Sequence, residues 1–153
     1  MGEVAEVELL VEAEDFDDYG GWLLDAQFDH EMGSPYLLAH GYGRPVADAS
    51  TTVQIPEAAT YEVWVRCKDW VPSHHPGRFK LSLGENTLDH EFGASGQDWS
   101  WEQAGSVELD EGALTVTLHD LTGFDGRCDA IYLSSNGQQP IDGAGSDARA
   151  WRR

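Results

Sequence analysis

Apolar and polar residues alternate along much of this chain with a period of two, the spacing that sends successive side chains to opposite faces of a β-strand. Tyr61-Glu-Val-Trp-Val-Arg-Cys67 is the clearest run and predicts one strand face made of Tyr61, Val63, Val65 and Cys67. Val4–Val11 alternates apolar with acidic residues, and Ser50–Pro56, Arg78–Leu83, Ser106–Leu109, Leu114–His119 and Asp129–Ser134 add further strands. Turn-forming clusters separate them: Gly20-Gly21, Gly41-Tyr-Gly43, Gly84-Glu-Asn86, Asp110-Glu-Gly112 and Gly123-Phe-Asp-Gly126. No run of about ten residues carries the 3.6-residue period of an amphipathic helix. The pattern predicts an all-β fold, a β-sandwich of the jelly-roll kind, over residues 1–134. From Ser135 to Ala150 the chain is Gly, Ser, Gln, Asp and Ala with little to bury, and it closes on Trp151-Arg152-Arg153; a flexible linker or tail is expected over 135–153.

Composition narrows the function classes. The 153 residues suit one domain, and 41% hydrophobic content with six Trp, five Tyr and five Phe is ample for a core. Twenty-eight acidic residues against nine basic ones give a formal charge of −19, which repels phosphate backbones and argues against nucleic acid as a partner. Only two residues are lysine, Lys68 and Lys80, and the acids are dispersed along the chain. That pattern is consistent with life at high salt, which screens self-repulsion, or with an ordinary acidic protein. No apolar stretch approaches the roughly 20 residues of a membrane helix. Met1-Gly2-Glu3-Val4 lacks the basic and apolar regions of a secretory leader, so the protein stays in the cell or the leader has been removed. Cys67 and Cys128 both lie in strand runs; buried free thiols are expected, with a single bridge between neighbouring strands as the alternative.

The chemistry-bearing residues point to binding. G-x-S-x-G, H-E-x-x-H, P-loop and G-x-G-x-x-G signatures are all absent. A transition metal at His74-His75 is disfavoured because consecutive side chains diverge. Glu12-Ala-Glu14 closes the first strand run; in a continuing strand the two carboxylates share a face, and calcium suits such a pair, with Asp129 as a third ligand. A solvated acidic edge is the competing reading. Tyr42, Trp70, Trp99, Trp101 and Phe124 stand beside Gly, Pro, Asp or Ser rather than in clean strand runs. Aromatic rings stack on the C–H face of a sugar while neighbouring polar groups orient its hydroxyls. The contact set expected for carbohydrate is Trp70, His74, His75, Arg78, Trp99, Trp101, Asp120, Asp125 and Arg127, with Trp70, Trp99 and Trp101 converging on one surface.

Three segments carry a family resemblance: Val11-Glu-Ala-Glu-Asp-Phe, Ala59-Thr-Tyr-Glu-Val-Trp-Val-Arg and Cys128-Asp-Ala-Ile-Tyr-Leu. They resemble the galactose-binding-like β-sandwich of carbohydrate-binding module families six and thirty-five. The resemblance implies a structural calcium held by Glu12, Glu14 and Asp129 and a noncatalytic domain with carbohydrate as partner. It also implies an extracellular or periplasmic setting. A longer resemblance rests on Gly33-Ser-Pro-Tyr-Leu-Leu-Ala-His-Gly, Arg66-Cys-Lys-Asp-Trp-Val-Pro, Pro76-Gly-Arg-Phe and the run from Leu118 to Ile131. It looks like the accessory β-sandwich beside FAD-dependent oxidoreductase domains of polysaccharide-utilisation proteins. That implies a flavin oxidoreductase domain as neighbour on a parent chain and, as the alternative function, a structural domain that packs on it. No flavin-binding fingerprint is present in this chain itself.

Overall fold

A computed structural model describes residues 7–26, 35–71, 73–96 and 99–137. Residues 4–6 of the expected opening strand, Gly33 and Ser34 of the longer resemblance, Asp98 beside Trp99, and the tail from 138 onward lie outside the described residues. Among those described, the alternating runs become ten strands and one short 3-10 turn at Ala13–Asp15. In chain order the strands are β1 (Glu8–Glu12), β2 (Leu23–Asp25), β3 (Tyr36–His40), β4 (Ala49–Ile55), β5 (Ala59–Cys67), β6 (Phe79–Leu83), β7 (Asn86–Thr87), β8 (Ser100–Leu109), β9 (Gly112–Asp120) and β10 (Phe124–Ser134). No helix among them is long and apolar enough to cross a membrane.

The strands form two antiparallel sheets that share one core, a β-sandwich as the sequence pattern predicts. The six-stranded sheet runs β2-β3-β10-β5-β8, and the four-stranded sheet β4-β9-β6-β7. The 11-residue β10 anchors the first sheet. One of its edges carries β5; along the other, its first half pairs with β3 (Cys128 with Leu37) and its second half with β1 (Ile131 with Val11). Tyr61, Val63, Val65 and Cys67 are fully buried, as strand alternation requires, and meet Phe79, Leu81, Val116 and Leu118 of the opposing sheet. Trp22 packs edge-on to Phe79 at 5.5 Å and Phe92 stacks on the same ring at 5.5 Å. Each such ring or aliphatic side chain contributes about 1.5–3 kcal/mol on burial.

Strand direction sorts the connections into two ends. Segments 41–48, 68–71, 73–78, 88–96 and 121–123 gather at one, here called the loop end. The turns at 56–58, 84–85 and 110–111 lie at the other, the far end.

Candidate functional site

The loop end is tied together by backbone and carboxylate contacts that hold several side chains in unusual conformations. Gly41 and Gly43 donate their N–H groups to the Gly123 carbonyl at 2.9 and 3.2 Å. A Cβ on Gly123 would lie 2.1 Å from the Arg44 carbonyl oxygen, so the two loops approach as closely as backbones can. Asp120 braces the same joint: its carboxylate accepts from the N–H groups of Val46 (2.9 Å), Gly123 (3.1 Å) and Thr122 (3.2 Å). Asp69 is buried and accepts from Gly96 N–H at 2.9 Å while pairing with His75 Nδ1.

Three aromatic rings project from this frame: Tyr42 is 85% exposed, Phe124 51% and Trp70 36%. Trp70 donates Nε1–H to the Phe124 carbonyl at 2.9 Å, which fixes its indole, and the Arg127 guanidinium lies 5.3 Å from the ring centroid. Phe124 rests beside Gly43, where a Cβ would come 3.1 Å from the ring. The His40 ring packs 4.4 Å from Tyr42, and His40 Nδ1 meets Asp125 at 2.5 Å. Tyr42, His75 and Asp125 have φ of +53°, +50° and +64°, and they are the non-glycine residues with positive φ among those described. A side chain in the left-handed region costs about 1–3 kcal/mol unless its surroundings hold it there, and such residues concentrate at binding sites. Rigid exposed rings among imidazole, carboxylate and guanidinium groups suit an amphipathic ligand that offers both C–H faces and hydroxyls.

Of the residues expected from sequence, Trp70, His75, Asp125 and Arg127 come together here. His74 is exposed in the same loop, and Arg78 is exposed and paired with Glu91 at 3.3 Å. Asp120 is buried and its oxygens are occupied by the loops, so it builds the site without facing solvent. Trp99 and Trp101 lie beside and within the start of β8, after the loop-end segments. They share the outer face of the six-stranded sheet, half-buried, Trp99 against Tyr36 at 4.9 Å and Trp101 against Tyr132 at 6.2 Å. Arg127 stands between the two groups, over Trp70 and within hydrogen-bonding reach of the Tyr36 hydroxyl. Burial, then the Asp25 carboxylate, raises the Tyr36 pKa far above the usual phenol range, so that hydroxyl remains a donor. Tyr42, His40 and Phe124 are the site residues absent from the expected set. The signal for the two rings was legible, since an aromatic between glycines in a tight turn has little core to enter.

Of the three residues expected to hold calcium, Glu12 ends β1, Glu14 lies in the turn that follows it, and Asp129 lies in β10 beside Glu12's partner Ala130. Glu12 pairs with Ala130, Asp129 is fully buried, and Glu14 has a buried Oε1. The chain leaves the strand after Glu12 through the 3-10 turn, so strand alternation does not set the direction of Glu14. Each of the three residues has an interaction partner, and among the described residues no three His, Cys, Asp or Glu side chains are grouped to hold one ion. The donor chemistry suits calcium.

A second polar chain crosses the outer face of the four-stranded sheet. Ser82 Oγ lies 2.6 Å from His119 Nε2, whose Nδ1 lies 3.1 Å from Asp48. The connectivity is that of nucleophile, base and acid. Ser82, however, is buried mid-strand between β9 and β7, and its hydroxyl is also bonded to Thr87 at 2.7 Å. The sheet ladders take up the amides that an oxyanion would need. The chain acts as a stitch across the sheet surface.

No family model matches the chain, and no curated protein matches it. Solved structures share its fold. The family 35 carbohydrate-binding module of Clostridium thermocellum superposes with TM-score 0.64 at 17% identity over 83% of this chain and 97% of that one. The C-terminal CBM6 of a marine laminarinase from Zobellia galactanivorans gives TM-score 0.61 at 18% identity over 84% and 99%. A Podospora anserina GH26-CBM35 β-(1,4)-mannanase gives TM-score 0.66 at 21% identity, but the chain spans only 29% of that enzyme. The fold is therefore the β-sandwich of carbohydrate-binding modules.

Proposed function

We propose that this chain is a noncatalytic carbohydrate-binding domain whose ligand lies on the loop end, stacked on Trp70, Phe124 and Tyr42. His40, His75 and Asp125 orient its hydroxyls. The observation that carries the reading is the coincidence, at one end of the sandwich, of three solvent-facing rings with the strained Tyr42, His75 and Asp125. Whole-chain likeness to modules named for carbohydrate binding supports it. Screening the intact chain on a glycan array, then replacing Phe124 by Ala, tests it. Retention on at least one glycan, weakened about tenfold or more in the variant, is the expected outcome. Equal retention would place the ligand elsewhere.

Calcium held by Glu12, Glu14 and Asp129, completed by backbone carbonyls or water, is a second part of the proposal. The cation would neutralise a buried carboxylate and tie the end of β1 to β10. Because it binds the folded form, it raises stability by mass action. A fall in melting temperature on adding chelator, restored by excess calcium, is expected; a melting temperature indifferent to both would remove calcium from the account. A flavin oxidoreductase neighbour rests on sequence resemblance alone, and becomes the reading to test if the isolated chain retains no glycan.

A further inference from the structure

We propose that Cys67 and Cys128 form an oxidisable dithiol that closes to a cross-strand disulfide between β5 and β10. The two residues are register partners on these antiparallel neighbours. Both belong to the core cluster, both are fully buried, and both are free thiols. Directly opposed residues of an antiparallel pair have Cα atoms about 4.5–5.5 Å apart, within the roughly 4.4–6.8 Å that a disulfide spans. Strand register alone therefore brings the backbone into range. The irregularity between Cys128 and Ala130 gives β10 local room to close the remaining distance between the side chains.

Burial raises the Cys67 thiol pKa, and the nearby Glu102 adds to the effect. The attacking species in thiol–disulfide exchange is the thiolate, so a buried thiol needs somewhere to send its proton. Cys67 has such a route. Its Sγ donates to Glu102 Oε2 at 3.1 Å, and Glu102 Oε1 lies 2.9 Å from Nε2 of the half-exposed His90. Glu102 is thus a buried carboxylate that links the thiol to the surface.

The oxidant is a low-molecular-weight disulfide, R–S–S–R. One cysteine thiolate attacks it, forming a mixed disulfide and releasing R–S⁻, which takes up the proton. The second cysteine then attacks the protein-side sulfur and expels the other R–SH. Two cysteine thiols give up two protons and two electrons, and the oxidant becomes two thiols. The new bond pins the strand that leads to Asp69 and Trp70 to the one that carries Arg127.

The test treats the intact chain with 2-hydroxyethyl disulfide, denatures it in alkylating agent and measures mass and peptide linkage. The expected product has lost two hydrogen atoms, takes up no alkyl group and yields a linked Cys67–Cys128 peptide. Its melting temperature rises by roughly 5 °C or more, and reductant reverses the change. Cys67→Ser and Cys128→Ser each leave one alkylatable thiol and form no intramolecular bond. Two alkylated thiols in the treated wild type, or mixed disulfides and intermolecular dimers alone, would overturn the proposal.

Discussion

The two ends of the sandwich are made of the same strands and differ in almost everything else. Among the described residues, every Lys, Arg and His lies in the loop-end segments or the adjoining parts of the strands, from His40 and Arg44 to His119 and Arg127. The far-end turns carry Glu57, Glu85, Asp110 and Glu111 and no base. A shallow cleft of about 240 Å³ lies at that far end, between Leu83, Glu85, Glu108, Asp110 and Leu114, with no aromatic ring in its lining. The loop end has the rings. A concavity lined by carboxylates repels anions and offers a sugar no face to stack on, whereas exposed rings braced by packed loops offer both contact and preorganisation.

The sharpest contrast comes from one substitution made at both ends. Gly123 and Gly112 have positive φ, +69° and +118°, but a Cβ at Gly123 meets the Arg44 carbonyl oxygen at 2.1 Å while one at Gly112 meets nothing within 4 Å. Gly123→Ala is expected to cost about 3 kcal/mol or more, combining clash with backbone strain, and Gly112→Ala about 1 kcal/mol from strain alone. Denaturant melts of the two variants check this; equal losses would mean that the loop end is not the closely built joint described here.

Next in size are the rings. Trp70→Ala is expected to weaken glycan retention by about 10- to 100-fold, or about 1.4–2.8 kcal/mol, measured by affinity electrophoresis. A smaller, global effect follows from charge. Because the far end lacks basic partners, molar salt is expected to raise stability over dilute buffer by about 1 kcal/mol, read from denaturant midpoints. Identical midpoints would remove self-repulsion as a cost. The smallest effect belongs to the acidic turns: Glu111→Gln is expected to change stability by less than about 0.5 kcal/mol and to leave glycan retention unaltered.

The sequence showed its structure best where burial is one-sided. β5 alternates because its inner face meets the core, and Tyr61 to Cys67 were readable residue by residue. β10 is buried continuously from Gly126 to Ser134, so it lacks alternation, and its opening Phe-Asp-Gly spells a turn although the chain runs through it with a bulge. β2, β3 and β7 are two to five residues long, too short to establish a period. Trp99 and Trp101 looked like loop residues beside Asp and Ser but flank and open β8, where they line a sheet face. At the site, Trp70, His75, Asp125 and Arg127 were identifiable by residue type. The left-handed backbone at Tyr42, His75 and Asp125 was not, because none is glycine and only the packed loops impose that conformation.

Tyr42 gives the most direct test of the loop end as the ligand surface, because at 85% exposure its ring supports little of the fold. The intact chain and Tyr42→Ala would be run by affinity electrophoresis through gels containing a panel of neutral and uronate-bearing polysaccharides, with melting temperatures measured in parallel. The account expects the wild type to be retarded by at least one polysaccharide. Tyr42→Ala should bind that polysaccharide about tenfold more weakly while melting within a few degrees of the wild type. Equal retardation of the two proteins, or no retardation of the wild type in any gel, would contradict it.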